Sequence, residues 1–76
     1  MAQKFAVGDK VRFLVYQDAR DLEGNDIEVE VGEEGTIIGV DMSKPYPYSV
    51  EVAGKPVELW FDAAWHMMAS ELELAQ

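Results

Sequence analysis

The sequence contains no cysteine and only one histidine. Disulfide bonds and thiolate-bound zinc are therefore excluded, and apolar packing must stabilise the fold. A transition-metal site would have to combine one imidazole with carboxylates alone, which is uncommon. No stretch approaches the roughly 20 consecutive apolar residues of a membrane-spanning helix, and the first residues lack the apolar segment of a signal peptide. We expect a soluble, cytoplasmic chain with no bound metal, cofactor or membrane.

Basic residues are also scarce. The chain has six Lys and Arg against fifteen Asp and Glu, which gives a net charge of −9. Nucleic acids and anionic lipids are bound mainly through Lys and Arg, so direct binding to either is disfavoured. Eight of the fifteen acidic residues lie between Asp18 and Glu34, where only Arg20 offsets them. This segment predicts a strongly negative edge and favours a partner with a basic surface.

The length of 76 residues predicts a single domain spanning residues 1–76. Apolar side chains that alternate with polar ones predict five short strands. These strands are expected over residues 10–16, 36–41, 48–52, 57–61 and 71–74.

Three further local features are predicted between these strands. Residues 17–34 form a long acidic loop, and its second half, residues 27–31, is an exposed ribbon that alternates apolar side chains with carboxylates. Gly32 and Gly35 predict a turn with positive φ and a close backbone approach before the second strand. Asp62 is expected to cap a short helical turn over residues 63–69.

Five strands, a long first loop and a helical turn before the last strand predict an all-β fold, a small five-stranded barrel whose closure hides the sheet edges. A resemblance to SH3-like barrels is carried by Val7-Gly8-Asp9-Lys10-Val11-Arg12, Glu34-Gly35-Thr36-Ile37-Ile38, Tyr48-Ser49-Val50-Glu51-Val52 and Glu71-Leu72-Glu73-Leu74. The chain is most similar to the family of the photosystem I reaction-centre subunit IV and the variable chain of ferredoxin–thioredoxin reductase, and more loosely to KOW-type modules. The resemblance implies a non-catalytic docking or accessory subunit.

Residue patterns that would indicate catalysis or metal binding are missing. His66 has no ligand partner at helical spacing, so we interpret it as a histidine at the edge of the core. The acidic loop places Gly24 fourth, whereas an EF-hand loop requires glycine in sixth place, so a plain solvated loop is expected. No serine or threonine has a neighbouring base, which predicts that the chain is not an enzyme and has no catalytic residue.

Aromatic residues and carboxylates provide the remaining functional signal. Aromatic side chains near the third and fourth strands predict a patch that binds a partner protein. Its members are Tyr46, Tyr48, Trp60 and Trp65. Trp60 is expected on the outer side of its strand, whereas Trp65 also fits a core position. The acidic contribution to the same partner-binding site is expected from Glu28, Glu30, Glu33 and Glu34.

Two functions compete on this basis. In the first, the chain is a protein-binding accessory module that uses the aromatic patch for affinity and the acidic loop for steering a basic partner. In the alternative, it is an acidic inhibitor of phage type whose carboxylates imitate duplex phosphates. Alternate strand residues lie about 7 Å apart, which is comparable with the spacing of phosphates along one DNA strand. Binding of a decoy should weaken steeply with salt, whereas aromatic docking should not.

Overall fold

The computed structural model describes residues 3–21, 23–55 and 64–75. These residues form seven strands and one 3-10 turn, which confirms the all-β class. The elements are β1 (Lys10–Phe13), β2 (Gln17–Arg20), β3 (Asp26–Val29), β4 (Glu34–Val40), β5 (Tyr48–Glu51), β6 (Trp65–Met67), the 3-10 turn (Ala69–Glu71) and β7 (Leu72–Leu74). Within this part of the chain, no helix has the length and apolarity to cross a membrane.

The strands form two separate sheets. The larger sheet is antiparallel and five-stranded, in the order β6-β5-β4-β1-β7. The smaller sheet is the antiparallel hairpin of β2 and β3. The described strands do not close into a barrel, so the predicted barrel closure is not confirmed.

Four of the predicted strands correspond to β1, β4, β5 and β7. The predicted strand over residues 57–61 and the cap at Asp62 lie outside the described residues. The helical turn predicted over residues 63–69 is wrong at Trp65–Met67, which pairs with β5 as a strand. Trp65 and Met67 point into the core while His66 between them is half-buried, and this two-residue period suits a strand. A 3-10 turn does precede the last strand, but it begins at Ala69.

The acidic segment predicted as a long loop is instead a hairpin. Asp18 pairs with Glu28 and Arg20 pairs with Asp26 across its two strands. At its tip, the Asp21 carboxylate accepts hydrogen bonds from the amides of Glu23 and Asn25, both at 2.9 Å. The alternation of Ile27 and Val29 with carboxylates is confirmed, but the strand ends at Val29.

Gly32 lies in the turn before β4, and Gly35 lies within β4. Gly32 has a φ of 97°, which L side chains rarely adopt. Gly35 packs so closely on β5 that a Cβ there would lie 2.7 Å from the Glu51 carbonyl oxygen and 2.7 Å from a Val50 methyl carbon. Gly32 thus permits the turn that leads from the hairpin into β4, and Gly35 permits the close packing of β4 on β5.

The core joins the hairpin to the larger sheet. It is a single cluster of buried side chains from both sheets and the amino-terminal segment. Its members are Phe5, Val11, Phe13, Val29, Ile37, Tyr48, Val50, Val52, Trp65, Met67 and Leu72. Val29 is the buried contribution of the hairpin, and Ala19 and Ile27 pack against the cluster in part. The inner face of the hairpin is therefore covered, and its outer face is left to solvent.

Candidate protein-binding site

The outer side of the hairpin is an exposed polar surface. Asp18 and Arg20 on β2 are exposed, as are Asp26 and Glu28 on β3, because alternate strand residues point to opposite faces. Tyr16, just before β2, is half-exposed beside them. These five residues, here called the hairpin face, line most of an open hollow of about 420 Å³.

Two carboxylates meet on this face. Asp18 and Glu28 are directly opposite each other in the register of β2 and β3. Like charges in this position destabilise a strand pair. The cation on this face is Arg20, whose Nε lies 4.0 Å from an Asp26 carboxylate oxygen, with both side chains more than two-thirds exposed. Such an exposed pair contributes little, so the face stays negative.

Tyr16 is fixed on this face by Glu28. Its hydroxyl donates a hydrogen bond to the Glu28 carboxylate. This bond is the main reason why the pKa of Tyr16 is raised from its ordinary value of 10.0 to about 12. Nearby carboxylates, including Asp18, act in the same direction. The face therefore combines an oriented aromatic ring with carboxylates, which suits contact with a cationic side chain.

The four glutamates predicted to bind a partner have different surroundings. Glu28 lies on the hairpin face, and Glu30 is exposed in the turn that follows β3. Glu33 accepts two hydrogen bonds from the Lys55 ammonium at 3.0 Å each. Its pKa is lowered, first by the hydrogen bond from the Glu30 amide and then by Lys55. The structure therefore does not provide one row of four unpaired carboxylates.

Glu34 takes part in an ion-pair ladder on the outer face of the larger sheet. The Arg12 guanidinium lies 3.4 Å from a Glu34 oxygen and 2.8 Å from a Glu73 oxygen. These three residues belong to the adjacent strands β4, β1 and β7. The hydrogen bond to Glu73 is the main cause of the raised pKa of Arg12. Glu34 is thus already paired within the chain.

Two members of the predicted aromatic patch are buried. Tyr48 is fully buried, and its hydroxyl accepts a hydrogen bond from the Lys4 amide at 2.8 Å. Trp65 is also buried, packs edge-on against Phe13, and donates its indole N–H to the Lys55 carbonyl oxygen at 3.0 Å. Both side chains fill the core because they point inward from adjacent paired strands. Trp60 lies outside the described residues.

Tyr46 is the predicted aromatic residue that the structure exposes. Half of its surface is accessible, and Met42 in the same loop is similarly exposed. The loop is closed by a 2.9 Å hydrogen bond from the Asp41 amide to the Pro47 carbonyl oxygen. Inside it, the Ser43 hydroxyl and amide donate to the Asp41 carboxylate and lower its pKa. The partner-binding role of Tyr46 stays a prediction.

Sequence reasoning missed the contributions of Tyr16, Asp18 and Asp26. The alternating pattern places Tyr16 in the first predicted strand, and the polar composition of Gln17–Arg20 gives no strand signal for β2. A turn signal was present at Gly24, but the observed register, which pairs Arg20 with Asp26 and Asp18 with Glu28, is centred on Glu23, one residue earlier.

The described residues contain no group of three or more His, Asp or Glu placed to hold a metal ion. His66 lies on β6 opposite Ser49 rather than in a helical turn. No protein-family model, curated protein or solved structure matches the chain.

Proposed function

We propose that this chain is a non-catalytic protein-binding accessory module that docks on a basic partner protein through the hairpin face. The partner would place cationic side chains against Tyr16, Asp18 and Glu28. The proposal retains the function expected from the sequence. It moves the centre of the interface from the aromatic patch to the hairpin, because Tyr48 and Trp65 are buried.

We also propose that the fold is an SH3-like barrel. Three features support this: five strands in one antiparallel sheet, an acidic excursion between its first two strands in sequence, and a 3-10 turn directly before its last strand. In such a barrel the hairpin would be an appendage between two core strands and well placed for contact with a partner.

The observation that carries the binding proposal is the pairing of Asp18 with Glu28. Two carboxylates directly opposite each other cost the hairpin stability, and among the described residues that line this face Arg20 is the only cation. A basic partner would remove this repulsion on binding. Complementary charge also accelerates association and selects against acidic partners.

The alternative is an acidic inhibitor that occupies the basic groove of a nucleic-acid-binding protein. It is favoured by the same cross-strand carboxylates, which a decoy would present in place of phosphates. It is disfavoured by the pairing of Glu33 with Lys55 and of Glu34 with Arg12, because these carboxylates already have cationic partners within the chain. The two functions differ in the partner: the inhibitor would occupy a groove that normally binds nucleic acid, whereas the accessory module would not.

The test is a pull-down from lysate of the source cells, treated with nuclease, with captured proteins identified by mass spectrometry. The bait is the wild type beside the double variant Asp18→Asn, Glu28→Gln, which removes the opposed charges without changing side-chain size. The control is Glu51→Gln, Glu73→Gln, which makes the same change in net charge on the outer face of the larger sheet and leaves Glu34 as the ion-pair partner of Arg12.

We expect one protein with a basic surface to be captured by the wild type and by the control but lost with the hairpin variant. Equal capture by all three baits would contradict docking through the hairpin face. If the captured protein binds nucleic acid and added duplex displaces the chain from it, the inhibitor function replaces the accessory one.

A further inference from the structure

The hairpin is held to the rest of the molecule by few polar contacts. Its two strands form a sheet of their own, with no backbone hydrogen bond to the larger sheet within the described residues. Apart from the packing of Ala19, Ile27 and Val29, two side chains of the described residues connect these strands to the larger sheet through hydrogen bonds. One is Gln17, whose amide nitrogen lies 3.4 Å from a Glu71 oxygen. The other is Lys55.

Lys55 reaches the hairpin from the turn that follows β5. Its ammonium donates to the carbonyl oxygen of Glu28 and to both carboxylate oxygens of Glu33. The backbone carbonyl of Lys55 accepts the indole N–H of Trp65 from β6. One residue thus links β3, the turn before β4 and the buried tryptophan of the larger sheet.

These contacts of Lys55 help to fix the position of Glu28, the residue at the centre of the hairpin face. Lys55 holds the backbone of Glu28, while the Glu28 carboxylate holds the Tyr16 hydroxyl and lies opposite Asp18. The side chains of Lys55 and Glu33 are only about one-third exposed, at 30% and 34%. Partial burial strengthens an ion pair and makes the loss of one partner more costly than at the open surface.

We propose that Lys55 is a positioning residue for partner binding: its ammonium latches the hairpin to the larger sheet and so fixes the face that the partner contacts. This inference rests on the proposed function only for its consequence on binding. The latch itself is a structural device that can be measured without a partner. Loss of the Lys55 charge, by substitution or by acylation of the amine, would loosen the hairpin.

For the variant Lys55→Met, the change in net charge and the loss of positioning predict opposite changes in the affinity for a basic ligand. Removal of a cation makes the chain more negative, so charge alone would strengthen binding to a basic ligand. Loss of the latch would weaken binding, because the partner would then have to order the hairpin. Lys44→Met is the matched control, since Lys44 is exposed and its contact is with Asp41 at 3.8 Å, outside the hairpin.

The first measurement is amide hydrogen exchange in the wild type, Lys55→Met, Lys55→Arg and Lys44→Met. In Lys55→Met we expect hairpin amides to exchange about tenfold faster, since hydrogen bonds to a charged group are lost. Amides of β1, β4 and β5 should keep their rates. Lys55→Arg should retain protection because a guanidinium can also pair with Glu33. Unchanged hairpin exchange in Lys55→Met, or equal loosening in Lys44→Met, would overturn the latch.

The second measurement is the affinity for a fluorescent oligoarginine peptide. We expect Lys44→Met to bind at least as tightly as the wild type and Lys55→Met to bind more weakly than both, with Lys55→Arg restoring affinity. A loosened hairpin with tighter peptide binding would overturn the positioning role. If the wild type does not bind the peptide, the proposed function fails on this ligand class, while hydrogen exchange still decides whether the latch exists.

Discussion

The larger sheet and the hairpin differ in how charged side chains are paired across their strands. On the outer face of the sheet, Arg12 lies between Glu34 and Glu73 on the two neighbouring strands, so each carboxylate has a cation beside it. On the outer face of the hairpin, Asp18 is opposite Glu28. Cross-strand pairs of opposite charge stabilise a sheet and like pairs destabilise it. The sheet therefore pairs these carboxylates with a cation, whereas the hairpin, beside its Arg20–Asp26 pair, keeps one pair of like charges that a cation would relieve.

The two regions also differ in how they are buried. The five-stranded sheet contributes most of the core, including Tyr48 and Phe13, which are fully buried. The hairpin contributes Val29 in full and Ile27 in part. Substitutions in the sheet should therefore change the stability of the whole domain, and substitutions on the hairpin face should mainly change binding.

The largest expected effect is that of Tyr48→Ala. Removal of a fully buried aromatic ring should lower the free energy of unfolding by about 4 kcal/mol, most of the stability of a domain this small. Ile27→Ala, which truncates a half-buried side chain of the hairpin, should cost about 1 kcal/mol. Urea unfolding followed by tryptophan fluorescence measures both. Similar losses in the two variants would show that the hairpin is as much part of the core as the sheet.

The next effect concerns the close approach of β4 to β5. In Gly35→Ala the new Cβ would meet the Glu51 carbonyl oxygen and a Val50 carbon at 2.7 Å, so strands must move apart, at a cost of about 2 kcal/mol. The matched control is Gly39→Ala, where the nearest atoms of Ser49 lie at 3.5 Å, an ordinary contact. The control should have a small effect on the urea midpoint. Equal midpoints in the two variants would contradict the tight packing at Gly35.

The sheet was the predictable part of the molecule, for a physical reason. Residues 36–40 are apolar or small, and Tyr48–Glu51 alternates buried with more exposed side chains, so period and composition agree with the observed strands. Trp65–Met67 was predicted as helical because three residues are too few to distinguish the two periods, and pairing with β5 decides the outcome. Local sequence does not contain that long-range pairing.

The site was less predictable than the fold. The excess of carboxylates between Asp18 and Glu34 was evident, but which of them are paired depends on Lys55 and Arg12, which are distant from their partners in sequence. The burial of Tyr48 could not be distinguished from exposure, because its neighbours Pro47 and Tyr46 belong to a loop. Charge composition therefore indicated the region of the candidate site, and the pairing of the strands shows which side chains share its face.

A charge reversal should separate stability from binding. Asp18→Lys places a cation opposite Glu28, so the free energy of unfolding should rise by about 0.5 kcal/mol while the affinity for a basic partner falls. Glu51→Lys makes the same reversal on the larger sheet, opposite the uncharged Thr36, and should bring no such stabilisation. Urea unfolding and oligoarginine titration measure the two quantities. A less stable Asp18→Lys variant would mean that the opposed carboxylates do not repel each other in the folded chain.

The smallest expected change is in the titration of Tyr16. Because Glu28 raises the pKa of Tyr16 above its ordinary value of 10.0, their contact stabilises the fold fully below about pH 10. That contribution is lost as the pH rises towards about 12. Glu28→Gln should therefore lower the pKa of Tyr16, seen as earlier appearance of tyrosinate absorbance for one tyrosine. Asp26→Asn, also on the hairpin face but paired with Arg20, should leave the curve close to that of the wild type. If the Glu28→Gln and wild-type curves coincide, Tyr16 is not fixed by Glu28, and the hairpin face loses its oriented aromatic ring.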